Sequence, residues 1–280
     1  MGRQKRSENT YQKINTIFKR DNKNVIMPYA GFVQPEFEYL RHNKWRASEK
    51  IDGMNMRIEV TPAIEYVVDT VNNIENAETN EILGVHFIVT IKGKTDNAQI
   101  PPMLQKYMED NYPEEKVLEA LGLKEWIPID EWAEHKWNSE FDIPTYTIYG
   151  EGYGKKIQKA GSHYIKDGVG FIVFDVKVND IYLRTENRFD IATKLGAPIV
   201  PFIGNFTLDE AIEYVRKGFK SRISEDKDFI AEGLVLRTDL GLRNRMGERL
   251  IVKIKYEDFQ KYRNVYGTDD PVEQIPNDHY

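Results

Sequence analysis

Lysine and carboxylate side chains stand at the ends of several apolar segments of this chain. In the segment Lys50-Ile-Asp-Gly, an extended backbone places Lys50 and Asp52 on one face, and the glycine lets a ligand or another chain approach closely. Lys253 and Lys255 lie two residues apart in an apolar segment, so both ammonium groups project from one side of a half-buried strand. Such a pair suits phosphate binding, although an exposed polar face has the same pattern.

An acidic residue and an aromatic strand offer two further contacts. Glu232 opens an apolar segment beside a glycine, a position that fits either a solvated strand end or a ligand contact. In the segment 171–175, alternation places Phe171 and Asp175 on one strand face and a second aromatic on the other. A nucleic-acid base that stacks on such a side chain gains roughly 1–3 kcal/mol.

The glycine-rich segment Gly150-Glu-Gly-Tyr-Gly-Lys-Lys156 does not form either of the common phosphate-binding motifs. A P-loop ends in Gly-Lys-Ser or Gly-Lys-Thr, but here Lys155 is followed by a second lysine. The spacing of its three glycines also differs from the dinucleotide fingerprint. By itself, the segment indicates a tight turn with a basic flank.

Composition narrows the possible chemistry. The 280 residues include no cysteine, which excludes disulfides, thiolate metal sites and cysteine nucleophiles. The five histidines form no HExxH motif and no close cluster, so we do not expect a zinc enzyme. Apolar runs are strand-sized, so we expect no signal peptide, no membrane span and a cytoplasmic location.

Charge is unevenly distributed along the chain, whose formal net charge is −6. Residues 109–142 contain eleven acidic residues and three lysines, whereas residues 236–255 contain six basic and two acidic residues. The first 24 residues are also basic, with seven basic and two acidic side chains. This segregation can produce a positive groove on an acidic protein, and a solvated face of mixed charge is the alternative.

The order of predicted elements indicates an α+β fold built around antiparallel sheets. Helical spacing predicts an opening helix at Glu8–Arg20, and Thr207 with Glu210 predicts a capping box. A turn is expected at residues 61–63, between two strands. We interpret residues 1–280 as a single domain that carries an acidic, helical insertion near residues 101–142, since no linker or repeat divides the chain.

Five segments, taken in order, resemble motifs I, III, IIIa, IV and V of the covalent nucleotidyltransferase superfamily, which comprises ATP-dependent DNA ligases, RNA ligases and mRNA capping enzymes. The segments are Lys50–Gly53, Glu151 in Tyr149-Gly-Glu-Gly, Phe171–Asp175, Glu232–Val235 and Lys253–Lys255. The flanking sequence is most similar to the RNA ligase 2 family of phage-type ATP-dependent RNA ligases, and this resemblance implies the cytoplasm of a bacterium or of the host of a phage. The resemblance extends from about Trp45 to Tyr256 and implies a nucleotidyltransferase fold of twisted antiparallel sheets with flanking helices.

The resemblance also implies a role for each matching residue. Lys50 would attack the α-phosphate of ATP and become lysyl-AMP, while Lys253 and Lys255 would bind that phosphate. Glu232 would lie near a Mg²⁺ or Mn²⁺ ion, through water, and Glu151 would hold the ribose. Phe171 would stack on adenine. The implied cofactor-binding residues are Glu49, Ile51, Arg57, Lys94, Glu151, Phe171, Lys253 and Lys255.

Two positions depart from the family pattern. An arginine of the family contacts the ribose or phosphate, and here Lys94 stands near the matching position, with Arg57 as the other candidate. Lysine cannot reproduce the bidentate geometry of arginine. Asp52 agrees better with DNA ligases and capping enzymes than with the histidine of some RNA ligases, which leaves the substrate open.

We therefore expect an ATP-dependent RNA ligase that seals 3′-hydroxyl and 5′-phosphate ends through lysyl-AMP and an AMP-capped 5′ end. Twenty-five residues follow Lys255, so we expect no C-terminal OB domain. We also expect a monomer and, as partners, RNA ends in nicked, single-stranded or DNA-splinted form. The alternatives are a compact ATP-dependent DNA ligase and a catalytically silent RNA-binding relative. Candidates for gripping the polynucleotide are the basic N-terminal residues and Lys155, Lys156, Lys159, Arg243, Arg245 and Arg249.

Overall fold

The computed structural model describes residues 10–66, 82–132, 134–135, 137 and 142–267. The chain divides into two compact units. The first unit is built on Gly53–Tyr153 and Gly168–Ile199, and the second on Tyr11–Asp52, Gly154–Asp167 and the chain from Val200 onward. Because the two units alternate along the sequence, neither is a continuous domain, and the single domain over residues 1–280 stays a prediction.

The described residues form eleven strands and seven α-helices. The strands are β1 (Asn15–Thr16), β2 (Trp45–Lys50), β3 (Met54–Tyr66), β4 (Ile82–Gly93), β5 (Trp126–Pro128), β6 (Tyr146–Gly154), β7 (Val169–Val178), β8 (Ile181–Tyr182), β9 (Phe202–Phe206), β10 (Gly233–Arg237) and β11 (Ile251–Lys255). The helices are α1 (Pro35–Tyr39), α2 (Pro102–Asn111), α3 (Glu114–Leu121), α4 (Gly161–Tyr164), α5 (Thr185–Leu195), α6 (Leu208–Lys217) and α7 (Tyr256–Tyr266). Neighbouring strands pair mainly antiparallel, which confirms the α+β class.

The first unit contains a six-stranded sheet in the order β5-β4-β3-β6-β7-β8. Its longest strand, β3, pairs with β4 from Met56 to Tyr66, but with β6 only from Met54 to Val60, which lies opposite Tyr146. The predicted turn at residues 61–63 is wrong, because β3 continues through Pro62. Beyond Val60 the strand lacks the β6 neighbour, and a proline is tolerated where one side of a strand needs no N–H donor.

The acidic segment contributes helices and a strand to the first unit. Helices α2 and α3 bury apolar side chains, of which Leu104, Met108 and Val117 are fully buried. After them, β5 adds an edge strand to the sheet by pairing with β4, where Ile127 lies opposite Val85. Helices α2 and α3 therefore lie within residues 101–142, where helical structure was expected. That this segment is an insertion stays a prediction.

The second unit contains a five-stranded sheet in the order β1-β11-β10-β2-β9. Apolar side chains from alternate positions of its central strands pack with α6 and α7 into one buried cluster, to which Trp45, Leu236 and Val252 belong. At the start of α6, Thr207 Oγ1 accepts a hydrogen bond from the Glu210 N–H at 3.2 Å. The Glu210 carboxylate accepts one from the Thr207 N–H at 2.7 Å, which confirms the predicted capping box.

The predicted helix at Glu8–Arg20 is wrong for the residues that the structure describes, 10–20. This segment instead places β1 beside β11 in parallel, with Asn15 opposite Val252. The adjacent residues Ile17 and Phe18 are both buried, which tertiary packing allows in an extended segment at a sheet edge. Within the described part of the chain, none of the helices has the length and apolar character that a membrane span requires.

Candidate active site

Three lysines lie on the same face of the sheet in the second unit. Because β10 pairs with both β2 and β11, Lys50, Gly233 and Lys255 form one row across the three strands. Val235, two residues further along β10, lies opposite Lys253 in the next row. Positions two apart in a strand share a face, so the three ammonium groups are presented on one side.

The carboxylate of Glu232 bridges the two lysines of the first row. Its Oε2 atom accepts a hydrogen bond from Lys50 Nζ at 2.5 Å, and its Oε1 atom lies 3.0 Å from Lys255 Nζ. The side chains are 20%, 23% and 13% exposed for Lys50, Lys255 and Glu232, so water screens these contacts only in part. Charge-assisted hydrogen bonds of this kind are about twice as strong as neutral ones.

Gly233 permits this arrangement because it stands between the two lysines. Its φ of +152° is a backbone conformation that residues with a Cβ rarely adopt. A Cβ at this position would lie 1.9 Å from the carbonyl oxygen of Ile254 on the neighbouring strand. The row of Lys50 and Lys255 around Glu232 therefore depends on glycine at position 233.

Two groups in this cluster have shifted pKa values. Burial opposes the charge of Lys255, but its hydrogen bond to Glu257 at 2.5 Å and the charge of Glu232 outweigh burial and raise its pKa above the ordinary lysine value. Lys255 therefore keeps its positive charge across the neutral range. Burial, followed by the negative charge of Glu232, raises the pKa of Asp52, and the charge of Lys50 offsets only part of this effect.

The residues on either side of Lys50 contact protein groups. Glu49 is 1% exposed, and its carboxylate accepts hydrogen bonds from Ser221 Oγ at 2.5 Å and from the Arg222 N–H at 2.8 Å. Burial raises the pKa of Glu49, and these two bonds offset the effect in part. The side chain of Ile51 is buried, and its carbonyl oxygen accepts a hydrogen bond from Lys50 Nζ at 3.4 Å. These contacts fix the backbone around Lys50, and the nucleotide contacts of Glu49 and Ile51 stay predictions.

The carboxylates of this unit fit a divalent ion that is bound largely through water. In the part of the chain that the structure describes, no three His, Asp or Glu side chains are grouped closely enough to hold a metal ion. Mg²⁺ commonly keeps several waters and is bound by one or two carboxylates together with substrate phosphates. Glu232 and Asp52 meet this requirement. Burial and, after it, repulsion by Glu232 raise the Asp52 pKa, and a cation bound near both carboxylates would relieve that repulsion.

Glu151 lies in the first unit, on β6, directly opposite Asn55 of β3. The side chain of Glu151 is half-buried. The Oδ1 atom of Asn55 is buried and has no hydrogen-bond partner within the described structure. Two oxygen acceptors on paired strand positions offer a place for hydroxyl donors, because a buried acceptor that lacks a donor is costly.

Phe171 is fully buried in β7. Its ring packs edge-on against Tyr112, with ring centroids 5.4 Å apart, and lies against the backbone of Gly150, where a Cβ would approach the Phe171 Cε2 atom to 2.3 Å. The glycine at position 150 therefore makes room for this ring. The stacking of Phe171 on adenine stays a prediction, and in this structure the ring contacts protein groups.

The two candidates for the family arginine differ in their surroundings. Arg57 is fully buried on β3 and donates hydrogen bonds to Glu59 at 2.6 Å, to the carbonyl oxygen of Gly93 and to Asp96. Lys94 is exposed in the turn after β4. Arg57 therefore joins β3 to the end of β4, whereas Lys94 is open to a ligand, and the choice between them stays a prediction.

Three residues of these sites were not identified from the sequence. Glu257 contacts Lys255 from the first turn of α7, and Asn55 lies opposite Glu151. The hydroxyl of the buried Tyr164 accepts a hydrogen bond from the Asp52 N–H at 3.2 Å. Only Glu257 could have been identified from the sequence, because it follows Lys255 by two residues. The contacts of Asn55 and Tyr164 depend on the strand register and on the tertiary fold.

Comparison with known proteins matches most of this chain to one family. The profile of the RNA ligase family matches residues 43–255, which include both rows of the lysine cluster. No curated protein matches the chain significantly.

Solved structures of a Naegleria gruberi RNA ligase share the fold. The form with pyrophosphate is 17% identical with a TM-score of 0.50, and the matched region covers 93% of this chain and 63% of that one. A substituted form with AMP and manganese is 16% identical with a TM-score of 0.53, covering 94% and 60%. A substituted form with ATP and manganese is 15% identical with a TM-score of 0.50, covering 94% and 59%. This chain thus spans about three fifths of the length of these structures. Because the family profile covers most of the chain, the protein belongs to the RNA ligase family.

Proposed function

We propose that this protein is an ATP-dependent RNA ligase that joins a 3′-hydroxyl to a 5′-phosphate through lysyl-AMP and an AMP-capped 5′ end. The observation that carries the proposal is the contact of Lys50 and Lys255 with Glu232 across three adjacent strands, inside the region that matches the RNA ligase family. A primary amine beside a second, permanently charged amine is suited to attack a phosphate whose negative charge the second amine binds.

In the first step, Lys50 Nζ attacks the α-phosphorus of ATP, the new nitrogen–phosphorus bond forms, and pyrophosphate leaves with the electrons of the broken bond. Lys50 must lose a proton to react, and Glu232 orients it through the 2.5 Å hydrogen bond. Lys253 and Lys255 bind the oxygens of the α-phosphate and stabilise the charge that develops on them. When bound, a divalent ion supplies further positive charge beside Glu232 and favours loss of the lysine proton.

In the later steps, the AMP moves from Lys50 to the 5′-phosphate of RNA, and the 3′-hydroxyl then displaces AMP to form the phosphodiester. The related Naegleria structures contain ATP or AMP with manganese, which supports the same nucleotide and a divalent metal, Mg²⁺ or Mn²⁺, for this chain. Family membership supports RNA ends as the polynucleotide substrate. Binding as a monomer, and to nicked, single-stranded or DNA-splinted RNA, belongs to the same proposal.

We assign the nucleoside contacts to the residues that match the family motifs. Glu151 accepts hydrogen bonds from the ribose hydroxyls, and the unpartnered Oδ1 atom of Asn55 opposite it supports this role, because a hydroxyl would satisfy it. Phe171 stacks on adenine, and Lys94 or Arg57 takes the part of the family arginine. Glu49 and Ile51 border the nucleotide through the backbone on either side of Lys50.

Adenylylation of the protein tests the proposal directly. The purified chain is incubated with ATP labelled at the α-phosphate and with Mg²⁺ or Mn²⁺, and protein-bound label is measured. We expect labelling that Lys50→Ala and Lys50→Arg abolish. Lys44→Ala is the matched control, because Lys44 lies just before the same strand but is exposed and pairs with Glu210. Label that persists in the Lys50 variants would refute the assignment of the nucleophile.

A compact DNA ligase is the second candidate, and Asp52 favours it because the DNA ligase form of motif I carries aspartate at this position. Sealing of nicked duplexes with RNA or with DNA on the 3′-hydroxyl side separates the two activities. Faster sealing from an RNA 3′ end supports the RNA ligase. RNA binding without any labelling by ATP would instead indicate a catalytically silent relative.

A further inference from the structure

A buried tyrosine contacts the backbone just beyond Lys50. The hydrogen-bonded ladder between β2 and β10 ends at Lys50, which lies opposite Gly233. Two residues later, the Asp52 N–H donates a hydrogen bond to the hydroxyl of Tyr164 at 3.2 Å. A backbone N–H that is shielded from water needs an acceptor, so the tyrosine takes the place that a neighbouring strand fills as far as Lys50.

The surroundings of Tyr164 suit it to act on the backbone rather than on a ligand. Tyr164 ends helix α4, in the same unit as Asp52, and is 0% exposed. Burial raises the pKa of its hydroxyl, and the hydrogen bond from Asp52 offsets this effect only in part. The hydroxyl therefore stays neutral, and a ligand cannot reach it from the surface.

The loop between α6 and β10, residues 218–232, determines where Tyr164 lies. The Glu225 N–H donates to the carbonyl oxygen of Tyr164 at 3.1 Å, and Phe229 packs edge-on against its ring, with ring centroids 5.1 Å apart. Ser224 Oγ donates to the carbonyl oxygen of the preceding residue, His163, at 2.5 Å. These contacts fix both the backbone and the ring of Tyr164, and with them the position of the hydroxyl beside Asp52.

The same loop contacts the chain on the other side of Lys50. Ser221 Oγ and the Arg222 N–H donate to the carboxylate of Glu49. The loop ends at Glu232, whose carboxylate accepts the hydrogen bond from Lys50 Nζ. Residues 218–232 thus contact the residue before Lys50 and the amine of Lys50 directly, and they reach the backbone beyond Lys50 through Tyr164. An attacking amine needs this kind of support, because the reacting atoms must be about 3–3.5 Å apart and aligned.

We propose that Tyr164 is a positioning residue for Lys50, because its hydroxyl holds the Asp52 backbone so that the Lys50 amine meets the α-phosphorus of ATP in line. This inference rests on the proposed ligase function. Tyr164 acts through the backbone and does not touch the reacting atoms. Loss of its hydroxyl should therefore lower the rate of attack without weakening ATP binding.

Single-turnover labelling of the full chain tests this role, with ATP that carries label at the α-phosphate. Tyr164→Phe removes the hydroxyl alone and keeps the ring that packs against Phe229. Three quantities are measured: the labelling rate at saturating ATP, the ATP concentration that gives half this rate, and the final labelled fraction. Tyr262→Phe is the matched control, because Tyr262 is a comparably buried tyrosine of α7 in the core cluster of the same unit.

We expect Tyr164→Phe to become labelled about tenfold more slowly than wild type, with the half-saturating ATP concentration changed by less than about twofold. The final labelled fraction should not change, and Tyr262→Phe should match wild type in all three quantities. A wild-type labelling rate in Tyr164→Phe overturns the proposal, and so does weaker ATP binding at an unchanged rate. A lower labelled fraction at an unchanged rate also overturns it, because this result indicates only a loss of folded protein.

The joining step gives a second readout, because no bond to Lys50 forms or breaks when the 3′-hydroxyl displaces AMP. Sealing of a substrate whose 5′ end already carries AMP should change by less than about twofold in Tyr164→Phe. Equal slowing of sealing and of labelling would assign Tyr164 to the stability of the whole site and would overturn a role specific to Lys50.

Two results separate this inference from the proposed function. If the wild-type chain does not become labelled with ATP, the ligase proposal fails and this inference fails with it. If wild type and Tyr164→Phe become labelled at the same rate, only this inference fails.

A second variant carries the test if thermal unfolding shows that Tyr164→Phe does not fold. Ser224→Ala removes the hydrogen bond to the carbonyl oxygen of His163, next to Tyr164, and leaves the tyrosine hydroxyl in place. We expect it to slow labelling by about threefold, with the half-saturating ATP concentration unchanged. An unchanged labelling rate in this folded variant would overturn the proposal.

Discussion

Substitution of Gly233 by alanine tests whether the close approach of β10 and β11 builds the lysine row. Gly233 lies opposite both Lys50 and Lys255, and Glu232 immediately before it contacts both amines. An alanine Cβ would lie 1.9 Å from the carbonyl oxygen of Ile254, whereas ordinary contacts begin near 3.4 Å. The two strands would have to separate locally by about 1.5 Å, which is a large part of a normal hydrogen-bond length.

Two terms contribute to the expected loss of stability. At a φ of +152°, outside the left-handed helical region, a residue with a Cβ costs about 1–3 kcal/mol, and forcing atoms into a packed region typically costs about 1–3 kcal/mol. The free energy of unfolding should therefore fall by about 2–6 kcal/mol. Gly241→Ala is the matched control, because Gly241 has a φ of +64° but nothing within 4 Å of the added Cβ. It should cost only the conformational part, about 1–2 kcal/mol.

Urea unfolding of the three proteins measures these differences, and protein labelling with ATP measures the consequence for the site. We expect Gly233→Ala to slow labelling by at least about tenfold, because a shift of about 1 Å in a catalytic group is enough for such losses. Gly241→Ala should label at the wild-type rate. Equal loss of stability in the two variants would show that the approach of Ile254 to position 233 is not the cause, and the reasoning would fail.

Two further predictions concern buried charges. Burial raises the pKa of Glu49 in the native state, so the protonated form of this side chain stabilises the fold. This contribution is fully present below the unfolded-state pKa and is lost as pH rises through the native-state pKa. Glu49→Gln should therefore gain stability relative to wild type as pH rises from about 4 to about 7, and a difference that does not vary with pH would contradict this. Arg57→Lys should lower the free energy of unfolding by about 2–3 kcal/mol, because lysine cannot reach Glu59 and the Gly93 carbonyl together. Urea unfolding measures this difference, and an unchanged free energy of unfolding would contradict the importance of the buried contacts.

Much of the lysine-containing face could be predicted from the sequence because it depends on local spacing. Lys253 and Lys255 share a face because strand positions two apart do so, and the structure places both in β11. The capping box at Thr207 was equally local, since it requires only two residues three positions apart. A feature that depends only on residues a few positions apart can therefore be predicted from the sequence alone.

The errors arose where distant parts of the chain decide the local structure. Residues 10–20 have helical spacing, yet β11 offers them a free strand edge and β1 forms there instead. Pro62 indicated a turn, but the strand continues because β6 ends its pairing with β3 just before that residue. In both places the outcome depends on a neighbour that is more than 80 residues away in sequence.

The sequence by itself determined which side chains are available for chemistry, their ordered spacing, and the resemblance to the nucleotidyltransferase family. Only the tertiary structure decided that Lys50 and Lys255, 205 residues apart, lie in one row with Glu232 between their amines. It also decided that Arg57 is enclosed by protein acceptors and that the Tyr164 hydroxyl lies beside the Asp52 N–H. The physical reason is that strand register and burial depend on pairing between distant segments, and spacing within one segment does not specify them.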